Sequence, residues 1–179
     1  TFNDLYYPVG GNPLLKPERL RSREVGLQYA QAGQEWRAVY FANRYTDLIG
    51  YVSTSVNIDS AKSNGLEVSY RGRFGNTSVI AGATSQSPVD STTGARLLRR
   101  AKTLANVGIR QDLGAWNVGG NLRYSGTRDD RSAGNTVSLA SYSVLDLNAS
   151  YAINKSFKAF GRVDNLLNKS YESVYGYRQ

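Results

Sequence analysis

Side chains along this chain change character at every second position, and that alternation limits the possible folds more than any other feature. Leu66, Val68, Tyr70, Gly72 and Phe74 interleave with Glu67, Ser69, Arg71 and Arg73. Trp116, Val118, Gly120, Leu122 and Tyr124 interleave with Asn117, Gly119, Asn121, Arg123 and Ser125. Val107, Ile109 and Leu113 alternate with Asn106, Gly108 and Arg110; Leu145, Leu147, Ala149, Tyr151 and Ile153 alternate with Asp146, Asn148 and Ser150. Phe157, Ala159, Val163 and Leu167 alternate with Lys158, Arg162 and Asp164, and Val25, Leu27 and Tyr29 with Glu24, Gly26 and Gln28. Two further strands fall at 35–44 and 77–85, where the phase is less clean, and aromatic residues take both parities across 36–41. The pattern predicts about eight strands of roughly ten residues, the length a tilted strand needs to cross a bilayer.

The connections sharpen this. "QAGQ" (31–34), "FGN" (74–76), "LGA" (113–115) and "INKS" (153–156) are tight hairpins. The stretches 46–63, 86–96 and 127–140, and both chain ends, are long and polar. Short and long connections alternate strictly, as in an antiparallel up-and-down transmembrane β-barrel with short periplasmic turns and long extracellular loops. A soluble β-sandwich or lectin-like fold, the other reading, has no reason to sort its loops by length. On the barrel reading Trp116, Tyr124, Tyr70, Phe74, Tyr29, Tyr151 and Phe157 face lipid. Glu67, Arg71, Arg73, Arg110, Asn121, Arg123, Asp146, Lys158, Arg162 and Asp164 face the lumen, where they pair with one another or with water.

Composition closes several other routes. With no Cys and no His among 179 residues, disulfides, thiolate or imidazole metal sites, Cys nucleophiles and Ser-His-Asp triads are all excluded. No apolar run is long enough for a transmembrane helix, which leaves strands as the means of crossing. The absence of Met marks the chain as a processed product or a piece of a longer one. The formal charge of +8, with 13 Tyr, raises a second class of function, a soluble basic β-domain stacking single-stranded nucleic acid. That needs aromatic and basic residues on one face, whereas here the basic residues are spread over loop and lumen positions and mostly face away from the aromatics, so no nucleic-acid partner is expected. The cluster "TTGARLLRRAK" (92–102) accordingly reads as the rim of a strand: Leu97 and Leu98 start it, and Arg100 and Lys102 face water, lipid phosphates or the lumen.

Four segments resemble one family. "GGNPLLKPER" (10–19) looks like the GNPxLKPE signature of TonB-dependent outer-membrane receptors, and "NRYTDLIGY" (43–51) like their N-x-x-x-DLI segment. "NIDSAKSNGLEVSY" (57–70) resembles their N-x-x-x-A-x-x-x-GxE segment, and "FGRVDNLLNKSYESVYGY" (160–177) their F-x-R-V-x-NLFDKxYE segment. All four fall in the family's order. Physically, the prolines of the first fix extended backbone before the strand at Arg21, Gly65 lets the chain turn into the strand at Leu66, and Asp164-Asn165 ends a strand.

The resemblance implies a 22-stranded barrel around an N-terminal plug, located in the outer membrane of a Gram-negative bacterium. Residues 1–179 would be eight of those strands, with the plug, the TonB-contacting segment and the final strand absent. It implies uptake of a large nutrient, with the TonB complex as partner through the missing N-terminal part and with outer-membrane lipid and lipopolysaccharide around the wall. It implies no catalysis. "LLRRAK" (97–102) and "ESVYGY" (172–177) look most like the cobalamin (vitamin B12) receptor branch, in which an arginine at the position of Arg99 and a tyrosine at that of Tyr177 touch the corrinoid. The branch's calcium-binding aspartates lie earlier in the receptor, so no metal site and no cofactor carries over. The loop 127–140 lacks the branch's tyrosine-rich content, which weighs against ligand contacts from it. A ferric-siderophore receptor is the alternative; a haem receptor is weaker, since haem capture commonly uses His.

Overall fold

The computed structural model describes residues 2–51, 53–57 and 60–179; Val52, Ile58 and Asp59, inside the first long loop, lie outside the described residues, as does Thr1. A short helix α1 (Phe2–Tyr6) precedes β1 (Arg19–Gln31), β2 (Gln34–Thr46), β3 (Ile49–Tyr51) and β4 (Ser55–Asn57). Then come β5 (Ala61–Phe74), β6 (Thr77–Asp90), β7 (Thr103–Leu113), β8 (Trp116–Ser125), β9 (Arg128–Ser132) and β10 (Asn135–Leu139). The chain ends with β11 (Tyr142–Ala152), β12 (Lys158–Val163), β13 (Glu172–Val174) and β14 (Tyr177–Arg178). Eight strands form one sheet in the order β1-β2-β5-β6-β7-β8-β11-β12, every neighbour antiparallel. The remaining six pair as three two-stranded hairpins, β3-β4 and β9-β10 within long connections and β13-β14 in the segment that follows β12.

The tight turns follow from backbone freedom. Ala32 and Gly33 join β1 to β2 with φ of 50° and 75°, the left-handed pair that a type I′ turn needs to match strand twist. Gly75 and Gly114, also left-handed, open the β5–β6 and β7–β8 turns. Asn154 closes the fourth, its Oδ1 accepting the Ser156 and Phe157 amides, both at 2.9 Å.

Cross-strand partners share a face, so the register settles the two faces of the sheet. Tyr29↔Trp36↔Tyr70, Leu27↔Ala38↔Val68 and Ala81↔Val107↔Leu122↔Leu145 put the apolar set on one side. This resolves 36–41: Trp36, Ala38 and Tyr40 join the apolar face, while Arg37, Val39 and Phe41 take the other. Near the short turns Trp36 meets Tyr70 at 4.3 Å between ring centroids, and Trp116 meets Tyr151 at 4.7 Å. The polar face carries Glu67, Arg71, Arg110, Asn121, Arg123 and Asp146, the last accepting from Arg123 Nη2 at 2.9 Å. Among the described residues no second layer covers the apolar face. Leu27 is 81 % exposed, and Trp36, Ile109, Trp116 and Leu122 are exposed too. A contiguous bare surface of this extent is unstable in water and natural in hydrocarbon.

Three expectations need correction. β6 runs to Asp90, not Ser85. Pro88 hides the extension, yet its carbonyl accepts from the Leu97 amide at 3.0 Å, so the missing N–H faces away from β5 and costs no ladder bond. β12 ends at Val163, not Leu167: Asn165 and Asn168 are left-handed (φ 50° and 47°), and the Asn165 and Leu166 amides bond back to Asp146 Oδ1 and the Leu145 carbonyl. Gly65 is no turn. It lies within β5 opposite Phe41, whose ring would meet an added Cβ at 2.5 Å, so the glycine is a seat for that ring.

The segment 10–18 clamps the first outer hairpin. Asn57 Oδ1 accepts the Lys16 amide at 2.8 Å and its Nδ2 donates to the Lys16 carbonyl at 2.9 Å. Asn12 Nδ2 donates to the Ser55 carbonyl, and Glu18 Oε1 accepts the Ile49 amide. The Asn12 and Glu18 side chains and the Lys16 backbone thus bind β3 and β4. Pro13 does not fix extended backbone as expected but sits in a turn, in which the Leu15 amide donates to the Asn12 carbonyl at 3.3 Å.

Candidate ligand-contact site at the outer loops

Two long connections and the segment after β12 meet at one carboxylate. Asp130, in β9, is fully enclosed at 0 % exposure. Its Oδ1 accepts from Arg99 Nε at 2.8 Å and from the Arg131 amide at 2.9 Å; its Oδ2 accepts from the Tyr175 amide at 2.8 Å. Arg99 belongs to the loop between β6 and β7, and Tyr175 to the turn between β13 and β14. The Tyr175 amide foremost, then the Arg99 guanidinium and the Arg131 amide, hold the Asp130 carboxyl below the usual aspartate range against the opposing effect of burial.

Local backbone explains how these groups arrive. Arg99 is left-handed (φ 59°), which turns its amide toward the Asp129 carbonyl at 2.6 Å as its side chain reaches Asp130. A non-glycine residue in that region is held by such contacts rather than by its own preference. Three residues earlier, Arg96 Nη1 lies 3.4 Å from Asp129 Oδ2, so two arginines of one loop meet two consecutive aspartates of the next. β9 and β10 are closed by Ala133 and Gly134, both left-handed. Arg128 is buried beneath the hairpin, donating to Ser125 Oγ at 2.9 Å and to the Glu172 carbonyl, with its guanidinium 4.9 Å from the Tyr142 ring. Tyr142 stacks on Tyr171 at 4.0 Å.

Of the two residues expected to touch a ligand, Arg99 keeps a 57 % exposed side chain, with only its Nε engaged among the described residues. Tyr177 lies in β14, 71 % exposed and two residues beyond the amide that Asp130 holds. The structure brings their backbones to one loop cluster, and their side chains make no hydrogen bond to each other. Arg99 precedes β7 rather than lying within it, because the strand starts at Thr103, and Leu97 and Leu98 therefore belong to the loop. The loop 127–140 is an ordered hairpin that anchors Arg99. Asp130, Arg128, Tyr142 and Tyr171 escape a reading of the sequence because their partners lie far along the chain; the left-handed Ala133-Gly134 pair within "RSAGNT" is the local signal for the hairpin. Among the described residues no group of three or more carboxylates could hold a metal ion.

A single antiparallel sheet with one bare apolar face, a charged opposite face, tight turns at one end and hairpin-bearing loops at the other is the wall of a membrane-spanning β-barrel. Residues 1–166 match the family model described as TonB dependent receptor-like, beta-barrel. The chain belongs to that family. It is 30% identical over 182 residues to the vitamin B12 transporter BtuB of Vibrio vulnificus, covering 98% of this chain and 29% of that protein. It is 28% identical to the vitamin B12 transporter BtuB of Photobacterium profundum, covering 96% and 30%. Among solved structures, FpvA of P. aeruginosa in complex with a pyoverdine and iron superposes with a TM-score of 0.77 at 22% identity, covering 97% of this chain and 26% of that one. The copper transporter OprC superposes at 0.74, also at 22% identity, covering 92% and 29%. The chain spans under a third of the length of these relatives.

Proposed function

We propose that these residues form part of the wall and outer rim of an outer-membrane receptor of a Gram-negative bacterium, for TonB-dependent uptake of cobalamin or a related corrinoid. Residues 1–179 supply eight adjacent strands of a larger barrel. The observation that carries the ligand is the loop junction at Asp130, which presents Arg99 and Tyr177 from two loops at one rim. The vitamin B12 transporters at 28–30% identity over nearly the whole chain support it. A corrinoid offers amide carbonyls and a phosphate around its edge; a guanidinium donates to either, and a phenol adds apolar area with one polar tip. Because Asp130 engages only Nε, the two terminal nitrogens of Arg99 are left to donate outward. The site has no group placed to make or break a bond, so its work is capture. TonB would act through parts of the receptor outside this chain, and lipid and lipopolysaccharide would surround the wall.

A ferric siderophore is the second reading, favoured by the fold shared with a pyoverdine receptor. Binding of cyanocobalamin to the full-length receptor separates the two. Arg99→Ala and Tyr177→Ala are each expected to weaken corrinoid binding about tenfold, the scale of one lost charge-assisted or aromatic contact. If neither does, the site assignment is wrong. If the receptor takes up a ferric siderophore and ignores corrinoids, the ligand assignment is wrong.

A further inference from the structure

The bilayer-facing side of the sheet holds a second feature, unrelated to the loop junction. Along its eight strands that face carries charge at only five positions, Arg19, Arg21, Arg23, Arg44 and Lys62. All are basic, and all lie on β1, β2 and β5 toward the long-loop end. Every other position on that face is apolar or neutral, from Val25, Tyr40 and Leu66 across to Leu147 and Val163. The register places Arg21 opposite Arg44, and Arg44 opposite Lys62, so three cations form one row across three strands. Arg23 sits one step lower, opposite Ala42.

Like charges directly opposite each other destabilise a sheet. Among the described residues none of Arg21, Arg23, Arg44 and Lys62 has a carboxylate partner to offset this, and all four side chains are exposed. Glu24, nearby in sequence, points to the opposite face. The four cations, with Asn64, line a concavity of about 470 Å³. Its height is also informative. Arg21 is eight residues from Tyr29 of the lower aromatic row, ~26 Å along the strand and ~20 Å of height once tilted, the upper part of an apolar band about 25 Å tall. From that level long basic side chains reach up to the headgroups while their stems remain in the acyl region.

We propose that this row is a binding site for a phosphorylated lipid headgroup of the outer leaflet. Guanidinium forks match phosphate oxygens bidentately, and Lys62 adds a compact charge at the same level. The inference rests on the membrane-wall reading but not on the ligand, since the row lies on the face away from the lumen.

The test uses the full-length receptor in nanodiscs made from phosphatidylcholine with a minor fraction of bisphosphorylated lipid A. Lipid retained after detergent dilution is quantified by mass spectrometry. Wild type is expected to retain lipid A over phosphatidylcholine, and to lose the preference when the lipid A is dephosphorylated. Arg21→Gln, Arg44→Gln and Lys62→Gln should each lower retention about fivefold, while Arg44→Lys keeps most of it. Inorganic phosphate added in solution should not compete. Equal retention by the Gln variants, or equal retention of the dephosphorylated lipid, overturns the site; competition by free phosphate overturns the lipid as its occupant. Should a Gln variant fail to fold, as read from heat-modifiable migration, the comparison of two lipids on wild type still decides. Cyanocobalamin binding by the same samples is expected to be unchanged, so a failure of the lipid site is distinguishable from a failure of the corrinoid reading.

Discussion

Asp130 shows how one residue governs the rim. Among the described residues its carboxylate is the only side chain that both Arg99 and the β13–β14 turn amide bind, and burial leaves it no water to replace them. Replacing it by Asn keeps the shape, removes the charge and leaves an amide N–H2 facing donors. We expect D130N to raise amide exchange at Tyr175 and through 128–139 roughly tenfold, and to weaken corrinoid binding because Arg99 loses its anchor. Unchanged exchange would show that the other bonds of the junction suffice. The pH dependence has a definite sign. A carboxyl whose pKa is lower folded than unfolded contributes fully above the ordinary aspartate value of about 3.9, and loses that contribution as pH falls through the lowered folded value. Exchange in these loops is therefore expected to be flat from about pH 8 to about 5, apart from the intrinsic chemistry of exchange, and to accelerate only in stronger acid.

Within the strands, the two faces have different tolerances. Val107 lies in mid-β7 on the apolar face, between Ala81 and Leu122; Asn121 lies on the other, opposite Asp146. Val107→Arg is expected to cost about 2–4 kcal/mol in urea unfolding of the full-length receptor in vesicles, whereas Asn121→Lys, beside a carboxylate, costs well under half of that. Comparable losses at both would contradict the face assignment. That assignment was legible in the sequence wherever the period was clean, as in β7, β8 and β11. It was ambiguous in β2, since Trp36 and Phe41 differ in parity and only the register with β1 and β5 separates them. Element ends were less legible: Pro88 reads as a stop, and its tolerance depends on which way one carbonyl points. The rim was legible from the sorting of short and long connections, and motif resemblance added Arg99 and Tyr177 as the residues proposed to meet a ligand there. Asp130 stands 31 residues from Arg99 and 45 from Tyr175, and no local pattern encodes a pairing across such separations.

At the scale of the molecule, the sheet has two ends. β1 and β12 flank it, and the order of strands does not join them. Every residue of both is exposed, and each offers one full side of backbone N–H and C=O groups. Lipid cannot satisfy those groups, and an open edge in hydrocarbon is unfavourable at each unpaired amide. The apolar face meanwhile forbids water as an alternative home. The 179-residue chain alone, refolded in detergent, is therefore expected to associate through β1 and β12 into mixed oligomers. Embedded in the full-length receptor, the same strands should be closed by neighbours. Size-exclusion chromatography and amide exchange on both forms provide the measurement: in the chain alone, 19–31 and 158–163 should exchange within the fastest class while β6, β7 and β8 stay protected. A monodisperse monomer with protected β1 and β12 would mean that the eight strands close on themselves, a barrel of its own rather than part of a larger wall.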